Sequence, residues 1–161
     1  MVIVYAVKGF DGANLPLDNP LQVPAHRYSG RVLASGKEAV RTTPKFKRVR
    51  LLGDVVFVSG TAAIKGEDSE FSEDTRVQAL GAIDVVEHLV APSNISPNCS
   101  AFRFGYLRVY VRRPQVLEPV REMFISHFRD TPIHFLQADI CRPELLLELE
   151  GVGRALPFLR P

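Results

Sequence analysis

Val49-Arg-Leu-Leu-Gly-Asp-Val-Val-Phe-Val-Ser-Gly-Thr-Ala-Ala-Ile64 holds two apolar runs joined by Gly53-Asp54. Apolar runs of this length, broken by a Gly/Asp pair, predict a β-hairpin. The second run is apolar on both faces from Val55 to Val58, so it belongs inside a sheet rather than at its edge. Ser59-Gly60-Thr61 interrupts it. A glycine inside a strand marks a bulge or a close approach to the backbone.

The rest of the chain supplies partners for that hairpin. Phe102 to Arg112 sets Leu107, Val109 and Val111 against Phe104, Tyr106, Arg108 and Tyr110, which predicts a strand with two substantial faces. Residues 72–91 predict a helix, with Ser72 as its N-cap and Ala79, Ile83, Val86 and Val90 on one stripe. Pro92 stops it, and 93–100 form a turn-rich loop. A second helix over about 115–129 carries Leu117, Val120, Phe124 and Phe128. Strands at 133–140 and 145–152 follow, and the tail after Arg154 is loose. The opening Met1–Val7 predicts a strand, and the Pro- and Gly-rich stretch 11–44 predicts an ordered arm with short extended pieces. The predicted class is α+β, one sheet with both helices on one face. The division is 1–44 arm, 45–154 domain and 155–161 tail. The uncovered face, with Phe102, Phe104, Tyr106 and Tyr110, predicts association of copies.

Composition narrows the function classes. The chain has 161 residues and 46% hydrophobic content, enough for a core without staples. Its two cysteines, Cys99 and Cys141, form neither a disulfide framework nor a zinc-ligand spacing. No metal and no cofactor are expected. No apolar run reaches the roughly 18–20 residues of a membrane span, and a cytoplasmic location is expected. The net charge of +2 conceals a basic first third and an acidic middle. Lys45-Phe-Lys-Arg-Val-Arg50 offers cations to phosphates, yet its alternation also suits a half-exposed strand neutralised by Glu67–Asp74. Nucleic acid is therefore not an expected partner.

Three motifs resemble the RidA/YjgF (endoribonuclease L-PSP-like) superfamily over residues 45–154: the hairpin ending in Ser59-Gly60, the helix with Gln78 and Ile83-Asp84, and the closing strand Glu148-Leu-Glu-Gly-Val152. Asp139-Ile-Cys-Arg-Pro-Glu-Leu-Leu-Leu-Glu-Leu-Glu-Gly151 is similar to the C-terminal segment of the chorismatases, chorismate hydrolases with a RidA-like domain. Ser59-Gly-Thr-Ala62, Val109-Tyr-Val-Arg112 and Asn19-Pro-Leu-Gln-Val-Pro-Ala-His-Arg-Tyr28 are similar to them too. The chorismatases carry an additional N-terminal half, and this chain is expected to lack it. It also has Gly66-Glu67 where those enzymes suggest Gly-His.

The resemblance implies a homotrimeric barrel with small-molecule sites between subunits and a small carboxylate as substrate. In RidA proteins an Arg just after a Pro-x pair holds that carboxylate; aligned on Pro132, the position is His134. This disfavours the usual imine hydrolysis, because imidazole lacks the guanidinium fork. Phe46 stands where the family usually has Tyr.

Glu148, on the apolar strand Leu145-Leu-Leu-Glu-Leu149, is the expected general acid or water-orienting group. Partial desolvation would raise its pKa. The alternative is an acid paired with an Arg across a subunit contact. Arg142 and Arg112 are candidate carboxylate forks or ion-pair partners. Cys141 is a pocket residue or a small buried apolar one. His134 contacts substrate or packs in its strand. Ser59, Gly60 and Thr61 offer backbone N–H groups to an anion or form a bulge. The functions left open are a chorismatase-like hydrolase, an imine or enamine deaminase with a rearranged site, a ligand-sensing trimer and, last, a ribonuclease.

Overall fold

A computed structural model describes residues 7–30, 45–70 and 73–158. Its main sheet has six strands in the order β1 (Asn14–Leu17), β2 (Val49–Leu52), β3 (Val55–Thr61), β8 (Leu147–Pro157), β6 (Cys99–Val111), β7 (Ile133–Gln137). The hairpin forms as the turn chemistry requires: β2 (Val49–Leu52) and β3 (Val55–Thr61) pair in antiparallel register about Gly53, which turns at φ 62°. β3 is flanked by β2 and β8, and its register shifts between Val58 and Thr61, so the expected bulge at Ser59-Gly60 is present. β1 (Asn14–Leu17) lies within the stretch assigned to the arm and pairs with β2 at the sheet edge. Of the expected strand 1–7, all but Val7 lies outside the described residues. A small hairpin of β4 (Ile64–Lys65) and β5 (Asp68–Ser69) turns through Gly66.

α1 spans Thr75–Leu89. Its cap is Asp74, whose carboxylate accepts the Arg76 and Val77 N–H groups at 2.8 and 3.1 Å; Ser72 lies outside the described residues. Pro92 does not simply end the helical run. It begins a short helix, α2 (Pro92–Ile95), because proline at the first helical position surrenders no needed N–H. β6 (Cys99–Val111) therefore starts earlier than expected. α3 (Pro114–His127) leads to β7 (Ile133–Gln137), which runs parallel to β6. β7 is shorter than its apolar run because Ile140 and Leu145 leave the sheet and pack with Ala62 and Ile64 in a separate small cluster. The tail is not loose as far as Pro157: β8 (Leu147–Pro157) pairs with β6 until Pro157 meets Cys99.

Leu107, Val109 and Val111 of β6 share one core with Leu147 and Leu149 of β8, with Ile83 and Val86 of α1, and with Val120 and Phe124 of α3. Both long helices thus cover one face. Paired residues share a face, so the other face presents Tyr106, Arg108 and Tyr110 of β6, Glu148 and Glu150 of β8, and His134 and Leu136 of β7.

The β6–β8 pair admits no side chain at Gly153. A Cβ there would lie 2.4 Å from the Arg103 carbonyl oxygen and 2.4 Å from Cζ of Phe102. Backbone oxygen cannot swing aside, so Gly153→Ala is expected to destabilise the chain by about 1–3 kcal/mol, the usual range for overpacking. A urea midpoint equal to that of the parent would contradict this.

Candidate active site

Glu148 sits on the open face, opposite Tyr110 in register. Its carboxyl occupies the space a side chain at residue 60 would fill: a Cβ built on Gly60 would lie 1.6 Å from Glu148 Oε1. The bulge in β3 is therefore the seat of the carboxyl. Burial pushes the Glu148 pKa above the ordinary glutamate range; Arg48 pulls it down and Glu150 adds a smaller upward push. The net effect is a carboxyl that keeps its proton longer than a solvated one, as its apolar strand predicts.

Arg48 extends the hairpin by one pair, its carbonyl accepting the Ser59 N–H at 2.9 Å. Its side chain is only 5% exposed. One guanidinium nitrogen donates to the Gly60 carbonyl at 3.3 Å and another to the Tyr28 hydroxyl. The Phe46 ring lies 4.8 Å from its Cζ, within cation–π range. Its buried Nε–H has no partner among the described residues.

Arg142 donates from Nη1 to the Glu67 carbonyl at 2.7 Å and to the Ser69 hydroxyl at 3.1 Å. Its Cζ lies 5.3 Å from the Tyr28 ring centroid. Its Nη2 is buried and also lacks a partner among the described residues. Cys141 is solvent-facing at the residue level, yet atoms crowd its thiol. Burial and Glu148 push the thiol pKa up, against smaller downward pulls from Arg142 and Arg48. A raised pKa keeps the thiol protonated, so Cys141 is a weak donor here and not a ready nucleophile.

The remaining candidates fall elsewhere. Arg112 donates from Nε to the Leu145 carbonyl and from Nη2 to the carbonyls of Ile140 and Arg142, at 2.6–2.8 Å. It braces the 140–145 loop and thereby positions Cys141 and Arg142. The expectation that Ser59 offers its N–H to an anion is corrected: that N–H is taken by Arg48, and its hydroxyl donates to the Lys47 carbonyl at 2.9 Å. Thr61 is fully buried, its hydroxyl donating to the Ser59 carbonyl. His134 is exposed on β7, opposite Arg108, with β6 between it and Glu148. It lines a shallow cavity with Tyr106, Arg108 and Leu136. Between His134 and Glu148 lies a polar network in which Glu150 accepts from Arg108 and Tyr110, both at 2.7 Å.

Sequence reasoning missed Arg48 and Tyr28 as site residues. Arg48 had a signal: the 52–55 pairing about the hairpin turn, counted outward, places residue 48 opposite Ser59. Tyr28 closes the Asn19–Tyr28 motif, but nothing local reveals which cation it meets. No group of three or more His, Cys, Asp or Glu residues that could hold a metal ion occurs among the described residues. No helix among them is long and apolar enough to cross a membrane.

The architecture is that of the RidA/YjgF proteins. A member of the YjgF/YER057c/UK114 family from Mycobacterium tuberculosis superposes with a TM-score of 0.55 at 17% identity, over 89% of this chain and all of its own. A crystal structure of a chorismatase superposes more fully, with a TM-score of 0.75 at 27% identity over 88% of this chain and 44% of that one. In sequence, a 3-hydroxybenzoate synthase of Streptomyces hygroscopicus is 32% identical over 94% of this chain and 46% of its own length. A chorismatase of Streptomyces rapamycinicus is 27% identical over 94% of this chain and 47% of its own. The chain spans about half the length of these relatives. No protein-family model matches it. The resemblance to the chorismatases is thus borne out in both sequence and fold, and that to the RidA/YjgF superfamily in fold.

The raised pKa of Glu148 has a consequence for stability. The folded chain holds this proton to higher pH than the unfolded chain, so it binds more protons through the window above the ordinary glutamate value. Stability falls as pH rises through that window. Glu148→Gln removes the effect. The urea midpoint of the variant, relative to the parent, is expected to rise as pH climbs above the ordinary glutamate range. A pH-independent difference would show that the carboxyl titrates normally.

Proposed function

We propose that this chain acts on chorismate or a closely related cyclic enol-ether carboxylic acid, with Glu148 as the general acid. The observation that carries the reading is a proton-retaining carboxyl seated on Gly60 beside the Arg48 guanidinium, with Arg142 joined to Arg48 through Tyr28, each guanidinium having a buried N–H that no described residue accepts. Such N–H groups match substrate carboxylates in charge and geometry. Chorismate has two carboxylates and an enolpyruvyl ether. Protonation of the enol-ether methylene by Glu148, followed by water addition at the ether carbon, gives a hemiketal. Its collapse breaks the ether bond, releasing pyruvate and a dihydroxycyclohexadiene carboxylic acid and leaving the proton balance unchanged. Phe46 and the Cys141 thiol supply a weakly polar wall for the ring. The similarity to chorismatases and to a 3-hydroxybenzoate synthase supports the substrate class.

The chain acts as a homotrimer in this reading, with sites completed between copies. The support is the sheet face that neither long described helix covers, bearing Tyr106, Tyr110, Leu136 and the Arg108–Glu150 pair. His134 would reach a neighbour's site rather than its own. Light scattering that returned the single-chain mass would overturn the assembly.

The deciding experiment incubates the purified chain with chorismate and follows pyruvate release, with chromatography to separate a dihydroxydiene acid from a hydroxybenzoate. Enzyme-dependent pyruvate is expected. Neither turnover nor binding would overturn the reading. Keto-acid release from 2-aminoacrylate, at the rate of an Arg-bearing relative, would instead favour a deaminase.

A further inference from the structure

Residues 19–29 do not pass freely over the surface. Asn19 donates from Nδ2 to the Val85 carbonyl at 2.8 Å, and Gln22 from Nε2 to the Ile64 carbonyl at 3.0 Å. The Val23 N–H reaches the Gly66 carbonyl, and the Gly66 N–H returns to the Leu21 carbonyl, both at 2.8 Å. These bonds fix the start of the segment on α1 and on the β4–β5 hairpin. Its far end is held by a side chain of the same hairpin. Glu67, in the turn of that hairpin, accepts the Ser29 N–H at 2.7 Å and the Ser29 hydroxyl at 2.6 Å. Tyr28, the residue before, meets both candidate substrate cations: its hydroxyl accepts from Arg48 and its ring faces Arg142. The Glu67 carbonyl accepts from Arg142 as well.

We propose that Glu67 is a positioning residue: by holding Ser29 it keeps Tyr28 between Arg48 and Arg142 and so presets both guanidinium groups for a dicarboxylate. The geometry explains why an acid suits this position in this chain. A carboxylate accepts the backbone N–H and the hydroxyl of one serine together, on its two oxygens. Held cations need no reordering when the ligand arrives, which is where preorganisation acts. Only the identity of the ligand rests on the reading proposed above.

The test has one readout that needs no substrate. Phenylglyoxal labelling, followed by peptide mass spectrometry, reports the accessibility of each arginine. Glu67→Ala is expected to speed labelling of both Arg48 and Arg142 severalfold. Tyr28→Phe, which loses the hydroxyl but keeps the ring, should speed labelling of Arg48 alone. In turnover, Glu67→Ala should raise KM about tenfold, the scale of one lost hydrogen bond to a charged group, with kcat little changed. The Glu67→Ala/Tyr28→Phe double variant should be no worse than the weaker single one. Unchanged labelling overturns the proposal, as does faster labelling with an unchanged KM or with strictly additive effects. If the parent neither binds nor turns over chorismate while labelling responds as described, the preset cations stand and the chorismate reading falls.

Discussion

Glu148→Gln is expected to lower chorismate turnover by about 10²–10⁴-fold, the usual contribution of a positioned general acid. The amide keeps the shape of the carboxyl and its seat on Gly60, so the fold and the arrangement of Arg48 and Arg142 should persist. What is lost is the proton. Because the acid works only when protonated, the parent's kcat/KM should fall as pH rises through the raised pKa of Glu148. That limb should be absent from the residual activity of the variant. Turnover with full kcat in Glu148→Gln would remove Glu148 from the chemistry.

Gly60→Ala should damage activity nearly as much through a different route. The new methyl group would fall 1.6 Å from Oε1 and 2.7 Å from Cδ of Glu148. Both atoms belong to the far end of a flexible side chain, which can swing away. Thermal stability should therefore change little, in contrast to Gly153→Ala, where the obstacle includes a backbone oxygen. The swing displaces the acid by more than an ångström, and a misplacement of that size costs roughly 10²-fold in rate. The measurement is kcat alongside the melting temperature of the same preparation. An unimpaired kcat would mean that the carboxyl works from another position than the one over Gly60. A collapsed melting temperature would mean that Gly60 is required by the bulge itself.

The two variants separate what the residue pattern carries from what packing adds. The hairpin, its turn at Gly53-Asp54 and the bulge at Ser59-Gly60 were legible because each rests on local backbone chemistry. Glycine alone turns cheaply at positive φ, and a strand broken by Ser-Gly-Thr cannot keep an even ladder. The same holds for the helical stripes of Ala79, Ile83 and Val86 and of Val120 and Phe124, since a buried face must repeat with the helix period. Where competition between elements decided the outcome, sequence reasoning fell short. The end of β7 depends on whether Ile140 and Leu145 stay in the ladder or join Ala62 and Ile64. The length of β8 depends on a partner, Cys99, more than fifty residues away.

The site divides in the same manner. By itself the sequence singled out Glu148 as a carboxyl on an apolar strand, but Leu147 and Leu149 point to the opposite face, so the burial that makes it hold its proton comes from its seat over Gly60. The sequence also marked Gly60 as a break in its strand, and the resemblance to the chorismatases singled out Arg142. Only the tertiary structure decided that Gly60 makes room for the Glu148 carboxyl, that Arg48 points inward rather than out to water, and that Arg112 is spent on carbonyls of its own loop. It also decided that Tyr28 stands between two cations. Each of those facts joins segments far apart in the chain. Electrostatics and hydrogen bonding act over a few ångströms of space, so which charge meets which partner is settled only when the strands and the 19–29 segment have been brought together.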